Sequence, residues 1–227
     1  MVELAQRLHQ VRGSITSECE KLGRPEPTLI VVTKNHSVEL AAELLKLGET
    51  EFGENRVQEA LAKSQELELA VPGNSVNWNL IGQLQTNKVK QALQFAASIH
   101  SLDRISLLDE LAKRTLERSV PLDVFVQLNL TDDEGRGGVP KHELLSFAAK
   151  VMEVPTLRLR GVMAVATLEA EPERDFEVVA KLSAALRREI PQADQLSIGM
   201  SGDYLVALSY GATHLRIGTA ITGNRTY

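Results

Sequence analysis

Cysteine is almost missing from this chain of 227 residues: Cys19 stands alone. No intramolecular disulfide can form, and no zinc cluster can be assembled from thiols. Long apolar runs are missing too, so no segment reads as membrane-spanning. The opening Met1-Val2-Glu3-Leu4 lacks the basic start and apolar core of a signal peptide, and the expected compartment is the cytoplasm. No basic run with interleaved aromatics occurs, aromatics amount to 4%, and the net charge is −5, which removes the electrostatic footprint of a nucleic-acid binder. The five histidines, His9, His36, His100, His142 and His214, show no metal-ligand spacing and are assigned no role. No linker, composition shift or low-complexity tract divides the sequence, so one domain over 1–227 is expected.

What is present is a steady rhythm. Leu4, Leu8, Val11, Ile15, Cys19 and Leu22 recur at the spacing of one helical face, giving a helix over 3–22. Strand-like apolar runs then alternate with helical patterns. Strands are expected at 28–34, 50–53, 77–82, 97–102, 122–129, 157–166, 195–199 and 213–218. Ser37 and Asp103 are expected to cap helices, while Pro140 and Pro172 suit first helical positions. A Gly-rich loop runs from Thr131 to Gly138. Strict βα alternation forces parallel pairing with right-handed crossovers, and eight units point to an α/β fold, a closed (β/α)8 barrel of the TIM type. A doubly wound open sheet shares the local pattern and is the alternative.

The first strand, Thr28-Leu29-Ile30-Val31-Val32-Thr33-Lys34, is an unbroken apolar run that ends on a lysine. Such a lysine either snorkels to water or is put to covalent use, because desolvation favours the neutral amine and a neutral amine attacks carbonyls. The other end of the chain offers company for it. In barrels of this kind the loops after strands seven and eight often hold a phosphate. Here they read Gly199-Met200-Ser201-Gly202-Asp203 and Ile217-Gly218-Thr219-Ala220: small residues, hydroxyls and a helix start at about Ser201 that aims free N–H groups at an anion. The same residues also serve as ordinary loop and cap formers. Arg216 shares strand parity with His214 and Gly218, opposite to Leu215 and Ile217, so one of these sets faces the barrel interior. An inward guanidinium would need a ring nitrogen, a phosphate or a neighbouring carboxylate as acceptor. Asn55 can donate from the end of strand two or cap the following helix.

Taken together, Val32-Thr33-Lys34, Phe52-Gly53-Glu54-Asn55-Arg56-Val57-Gln58-Glu59, Trp78-Asn79-Leu80-Ile81-Gly82-Gln83-Leu84-Gln85-Thr86-Asn87-Lys88, Gly199-Met200-Ser201-Gly202-Asp203 and Arg216-Ile217-Gly218-Thr219 resemble the pyridoxal phosphate homeostasis proteins. The resemblance implies a barrel like the alanine racemase N-terminal domain, with an extra N-terminal helix, that binds pyridoxal 5′-phosphate (PLP). By the same resemblance Lys34 is the Schiff-base lysine, Ser201, Gly218 and Thr219 hold the phosphate, Arg216 meets the pyridine nitrogen, and Asn55 lies beside the cofactor. The chain departs from the usual family pattern at Thr33, at Asn35-His36-Ser37 and at Asn79-Leu80.

The expected function is therefore carriage or buffering of PLP in vitamin B6 homeostasis, without catalytic turnover. An arginine at the ring nitrogen disfavours its protonation and weakens the ring as an electron sink. PLP is the expected ligand, PLP-dependent apoenzymes are the candidate recipients, and a monomer without membrane or nucleic-acid partners is expected. The alternatives are a PLP-dependent racemase-like enzyme and a Schiff-base aldolase acting on a sugar phosphate.

Overall fold

The structure is a computed structural model that describes residues 2–131, 137–167 and 171–223. Helix α1 (Val2–Leu22) leads into β1 (Thr28–Val32), α2 (Val38–Lys46), β2 (Glu51–Glu54), α3 (Val57–Ala70) and β3 (Asn77–Leu80). A 3-10 turn (Thr86–Lys88) and α4 (Val89–Ala92) precede β4 (Ala96–Leu102), α5 (Ile105–Arg114) and β5 (Leu122–Asn129). A two-residue strand β6 (Val139–Pro140), a 3-10 turn (Lys141–Glu143), α6 (Leu144–Met152), β7 (Leu157–Met163), α7 (Pro172–Glu189), β8 (Gln195–Ser197), α8 (Tyr204–Ser209), β9 (His214–Ile217) and α9 (Thr219–Thr222) follow.

All pairings are parallel, and the spatial order β4-β3-β2-β1-β9-β8-β7-β5 is closed by a further pairing of β4 with β5. Eight strands thus form a barrel, and that closing pair excludes the open sheet. β6 stands outside the ring, and among the described residues it pairs only along the end of β5, through Leu128 with Val139 and Asn129 with Pro140. Pro140 therefore ends a strand, where its missing N–H costs nothing, and stands at the N-cap of the 3-10 turn that leads into α6, one place before the first helical position expected of it. Pro172 does take the first position of α7. Asp103 does not cap α5 as expected: Arg104 holds its N-cap position and its guanidinium bonds Asp103 Oδ1 at 2.5 Å. Ser37 sits at the N-cap of α2 without a side-chain cap bond. Residues 132–136 of the expected Gly-rich loop, Gly135 included, lie outside the described residues.

Parity sorts the strands. Leu29, Val31, Phe52, Leu80, Leu215 and Ile217 face outward into the apolar layer under the helices. The residues between them, Ile30, Gly53, Asn79, His214 and Arg216 among them, point inward. Helix α1 buries Leu4, Leu8, Val11, Ile15 and Cys19, while Leu22 is left 40% exposed beyond the stripe. It packs across α8 and α9. There Arg7 Nε donates to Ile221 O at 2.7 Å, and Arg24 donates to Leu208 O and, at 2.6 Å, to Ala212 O. Guanidinium groups on carbonyls at or just beyond helix C-terminal ends are favourable partners, so the added helix braces from behind the two short helices that follow the expected phosphate loops. Among the described residues no helix is long and apolar enough to cross a membrane.

Candidate functional site

β1 ends at Val32, two residues earlier than the sequence suggests, and Lys34 sits on the turn beyond it. Thr33 is fully buried and Lys34 half-buried, so the lysine stands at the rim of the barrel rather than at the end of a buried strand. His36 N donates to Thr33 O at 3.1 Å. Asn35 has φ 60° and is the one non-glycine residue with a positive φ among those described. Left-handed backbone only at the third residue is the pattern of a type II turn, and asparagine tolerates it. Lys34 occupies the second position.

β9 lies beside β1, with Ile30 opposite Arg216 and Val31 opposite Ile217. A Cβ on Gly218 would touch Val32 Cβ at 3.4 Å and Val32 O at 3.6 Å. The Gly218 loop therefore leaves the barrel at the same rim, one strand from Lys34. Ser201 joins it from the loop after β8: its Oγ accepts from Gly218 N at 3.2 Å and Ala220 N at 3.3 Å. Thr219 is exposed at the start of α9. Gly199 has φ +90°, and a Cβ there would stand 2.7 Å from Ala207 Cβ and 2.8 Å from Leu215 Cδ2, so the fold itself requires that glycine. Gly202 is different. Nothing lies within 4 Å of where its Cβ would be and its φ is not positive, so its bareness leaves open space above the loop. The expected helix start at Ser201 falls later, at Tyr204, and α8 and α9 have only 6 and 4 residues. The anion-binding capacity of this rim thus rests on loop N–H and hydroxyl groups more than on a helix dipole.

Arg216 points into the barrel and is 4% exposed. Nη1 donates to Ser197 O and Ser197 Oγ, both at 2.7 Å, and Nη2 donates to Ala164 O at 2.8 Å. Among the described residues it forms no ion pair, so the carboxylate partner weighed from sequence is replaced by carbonyls and a hydroxyl, and Nε has no partner among them. Burial pushes this guanidinium down to about 10 while Asp203 pulls it back up, so it is a cation at neutral pH. Ser197 Oγ also lies 2.9 Å from His100 Nδ1. Arginine can only donate, so Ser197 accepts from it and can pass its own hydrogen to His100 Nδ1, leaving the hydrogen of the neutral ring on Nε2. That Nε2 is buried without a partner among the described residues. His100 stacks on Phe125 with centroids 4.1 Å apart and meets His214 edge-on at 5.9 Å. Burial, helped by His214 and Arg216, holds His100 well below the usual histidine range. The Arg216–Ser197–His100 chain runs down the interior to a polar cavity of about 410 Å³ at the N-terminal ends of the strands, lined by Glu51, Ser98, Asp123, Arg160 and His214 among others. Asn79, one of the family departures, lines this lower cavity and is held by Glu51 and Ser98.

Asn55 follows β2, half-buried, and Arg56 rather than Asn55 takes the N-cap of α3. A Cβ on Gly82 would stand 2.4 Å from Asn55 O, so the exit of β3 presses on Asn55 and fixes its backbone. The structure thus gathers Lys34, Arg216, Ser201, Gly218 and Thr219 around the ends of β1, β8 and β9, with Asn55 at the end of the adjoining β2.

Sequence reasoning missed an ionic cluster beneath Lys34. Lys63 Nζ donates to Thr33 O at 2.8 Å, to Glu54 Oε1 at 2.5 Å and to Glu59 Oε1 at 3.3 Å. Thr33 Oγ1 donates to Glu54 Oε1 at 2.7 Å, and Asn35 N donates to Glu59 Oε1. Lys63 is 5% exposed and Glu54 fully buried. Burial pushes the Glu54 carboxyl up against the opposing pull of Lys63 and Thr33. A signal existed: Glu54 shares parity with the outward Phe52 under a helix, where a carboxylate must be paired. Lys63 reads in sequence only as one half of a surface pair with Glu59, four residues away.

Comparison with known proteins adds ancestry to this geometry. The sequence model of the family described as alanine racemase, N-terminal domain, matches residues 8–226. The pyridoxal phosphate homeostasis protein of Escherichia coli is 38% identical over 233 residues, covering 100% of this chain and 99% of that protein. The Aquifex aeolicus protein of the same name is 36% identical, covering 98% of each. PipY of Synechococcus elongatus, solved with PLP bound, superposes with a TM-score of 0.85 at 32% identity, covering 97% of this chain and 100% of that one. Alanine racemase from Corynebacterium glutamicum gives a TM-score of 0.72 at 14% identity over 62% of its length, which is a likeness of fold alone.

Proposed function

Because the chain belongs to the alanine racemase N-terminal domain family, we propose that it binds PLP at the barrel rim and carries or buffers it, without turnover of its own. The observation that carries this reading is the convergence at neighbouring strand ends of an amine, Lys34, a hydroxyl-and-amide loop pair around Ser201 and Gly218, and a buried cation, Arg216. Bound PLP supplies an aldehyde, a phosphate and an electron-poor ring. Lys34 is the amine that holds the aldehyde. Ser201, Gly218 and Thr219 receive the phosphate, with Gly202 leaving room for it. Arg216 would serve the ring nitrogen through an N–H that its bonds to Ser197 and Ala164 leave free. A guanidinium can only donate, so it keeps that nitrogen an acceptor, which disfavours carbanion chemistry on the ring. Asn55 lies at the adjacent strand end.

A carrier needs a site that holds the aldehyde reversibly and leaves it accessible, and the half-buried Lys34 at the rim suits that. The relatives named as homeostasis proteins are similar over nearly their whole length, whereas the racemases are similar only in fold. PLP-dependent apoenzymes in the cytoplasm are the proposed recipients, and the chain is proposed to act as a monomer of one domain. The test is a pair of measurements on PLP-loaded protein: transfer of PLP to an apoenzyme, and α-deuterium exchange and chirality of a panel of L-amino acids. Transfer without exchange supports the carrier; sustained exchange or racemisation would overturn it in favour of a racemase-like enzyme.

A further inference from the structure

Two peptide planes flank the Cα of an amino acid, and together they decide where its side chain points. At Lys34 both are held from below. The Thr33–Lys34 plane is fixed by its carbonyl, which accepts from Lys63 Nζ at 2.8 Å and from His36 N at 3.1 Å. The Lys34–Asn35 plane is fixed by its N–H, which donates to Glu59 Oε1. The two holds meet at one atom, because Glu59 Oε1 is itself 3.3 Å from Lys63 Nζ. Glu54 anchors that ammonium at 2.5 Å and also takes the Thr33 hydroxyl at 2.7 Å. We propose that Lys63, with Glu54 and Glu59, forms a positioning clamp that sets the backbone direction of Lys34 and so pre-organises its amine for the aldehyde.

The inference rests on the reading of Lys34 as the attachment point. It also accounts for a cluster that stability alone does not explain. A buried ion pair gains little over apolar side chains of the same shape, because taking two charges out of water offsets their attraction. Here the cluster leaves Glu54 Oε2 buried and without a partner among the described residues. The clamp also holds Asn35 in left-handed backbone, a conformation persisting where its surroundings fix it. A lysine whose backbone is already set loses less freedom on attachment, which raises both the rate and the extent of capture.

The experiment compares the parent with Glu54→Gln/Lys63→Met, which removes both buried charges together, and with Glu59→Ala and Glu59→Gln. Each is measured for thermal unfolding, for hydrogen exchange of the Asn35 amide without PLP, and for the rate of borohydride-fixed PLP incorporation mapped to its lysine. The double variant and Glu59→Ala are expected to stay folded, to exchange the Asn35 amide about tenfold faster or more, and to incorporate PLP about tenfold more slowly. Glu59→Gln, which keeps an acceptor for that amide, is expected to recover most of both. Parental exchange and parental incorporation in folded variants would overturn the clamp. Should the double variant fail to fold, Glu59→Ala, at the less buried end of the cluster, decides alone. Incorporation on a lysine other than Lys34 would overturn the attachment reading, while exchange at Asn35 would still judge whether the clamp holds the turn.

Discussion

Acid should loosen this barrel from the inside, and His214 allows the size of the effect to be worked out. Its ring lies in the lower cavity, edge-on to Phe125 at 5.2 Å. Burial, with Arg160 and Arg216 nearby and Asp123 opposing, lowers it from 6.5 to about 4. A histidine lowered in the folded state takes up its proton preferentially when unfolded, so unfolding is favoured as the pH drops below 6.5, and the loss levels off only below the folded value of about 4. At pH 5 the unfolded ring is 1.5 units below its midpoint while the folded ring is largely neutral. At 1.36 kcal/mol per unit, stability falls by about 2 kcal/mol relative to pH 8 from this residue alone. His100 contributes further loss of the same sign. Glu54 works the other way: its carboxyl is pushed up in the fold, so acid relieves its burial.

The measurement is urea unfolding at constant ionic strength at pH 8, 7, 6 and 5, on the parent and on His214→Gln. Subtracting the two profiles cancels Glu54 and the surface carboxylates, and cancels His100 apart from the share of its lowering that His214 causes. The variant's drop from pH 8 to pH 5 should be smaller by about 2 kcal/mol. Parallel profiles would refute the claim that His214 is held neutral by its place in the barrel.

Lys34→Ala should retain the fold and lose borohydride-fixed PLP, as read by mass mapping; an adduct that persists elsewhere would show the attachment point to be misassigned. Asn35→Val, a β-branched residue in left-handed backbone, should cost about 1–2 kcal/mol in urea unfolding, while Asn35→Gly stays near the parent. Arg12→Ala removes both bonds to the buried Glu49, at 2.5 and 2.6 Å; because Arg12 is 45% exposed, solvent screening limits the loss to about 1–2 kcal/mol. Ser197→Ala takes one acceptor from Arg216 and the partner from His100 Nδ1, and should weaken PLP retention several-fold in dialysis with a stability loss of about 1–2 kcal/mol.

Much of the fold was legible because the periodicities are clean. Leu4 to Cys19 mark one helical face, and runs such as Leu122 to Asn129 coincide with the observed β5. The misreadings fall where chain ends of elements compete with local chemistry. Thr33 and Lys34 extend the apolar run of β1 in sequence, but a β-turn takes them out of the sheet. Pro140 looks like a helix opener, yet the carbonyl end of β5 offers a short parallel partner that needs no N–H from it. The α9 turn at Thr219–Thr222 was invisible because four residues are too few to show a period.

At the site, the legible residues share one property: they are odd where they stand, a lysine after an apolar run, an arginine within a strand, bare glycines after strands. The residues that hold them were hidden because each looks ordinary. Ser197 is a small strand residue, Lys63 and Glu59 form a commonplace helical pair, and Glu54 sits in a strand only four residues long. What makes them special is that Thr33, Asn35, Glu54, Glu59 and Lys63 come from three separate segments, the turn after β1, the end of β2 and the first half of α3, and converge only when β1 and β2 pair at Val32 and Gly53. That pairing carries the end of β2, with Glu54, up beside the turn that bears Lys34, and α3 then lays Lys63 across both. A supporting cluster of this kind is set by tertiary register, so it becomes visible only once the barrel has closed.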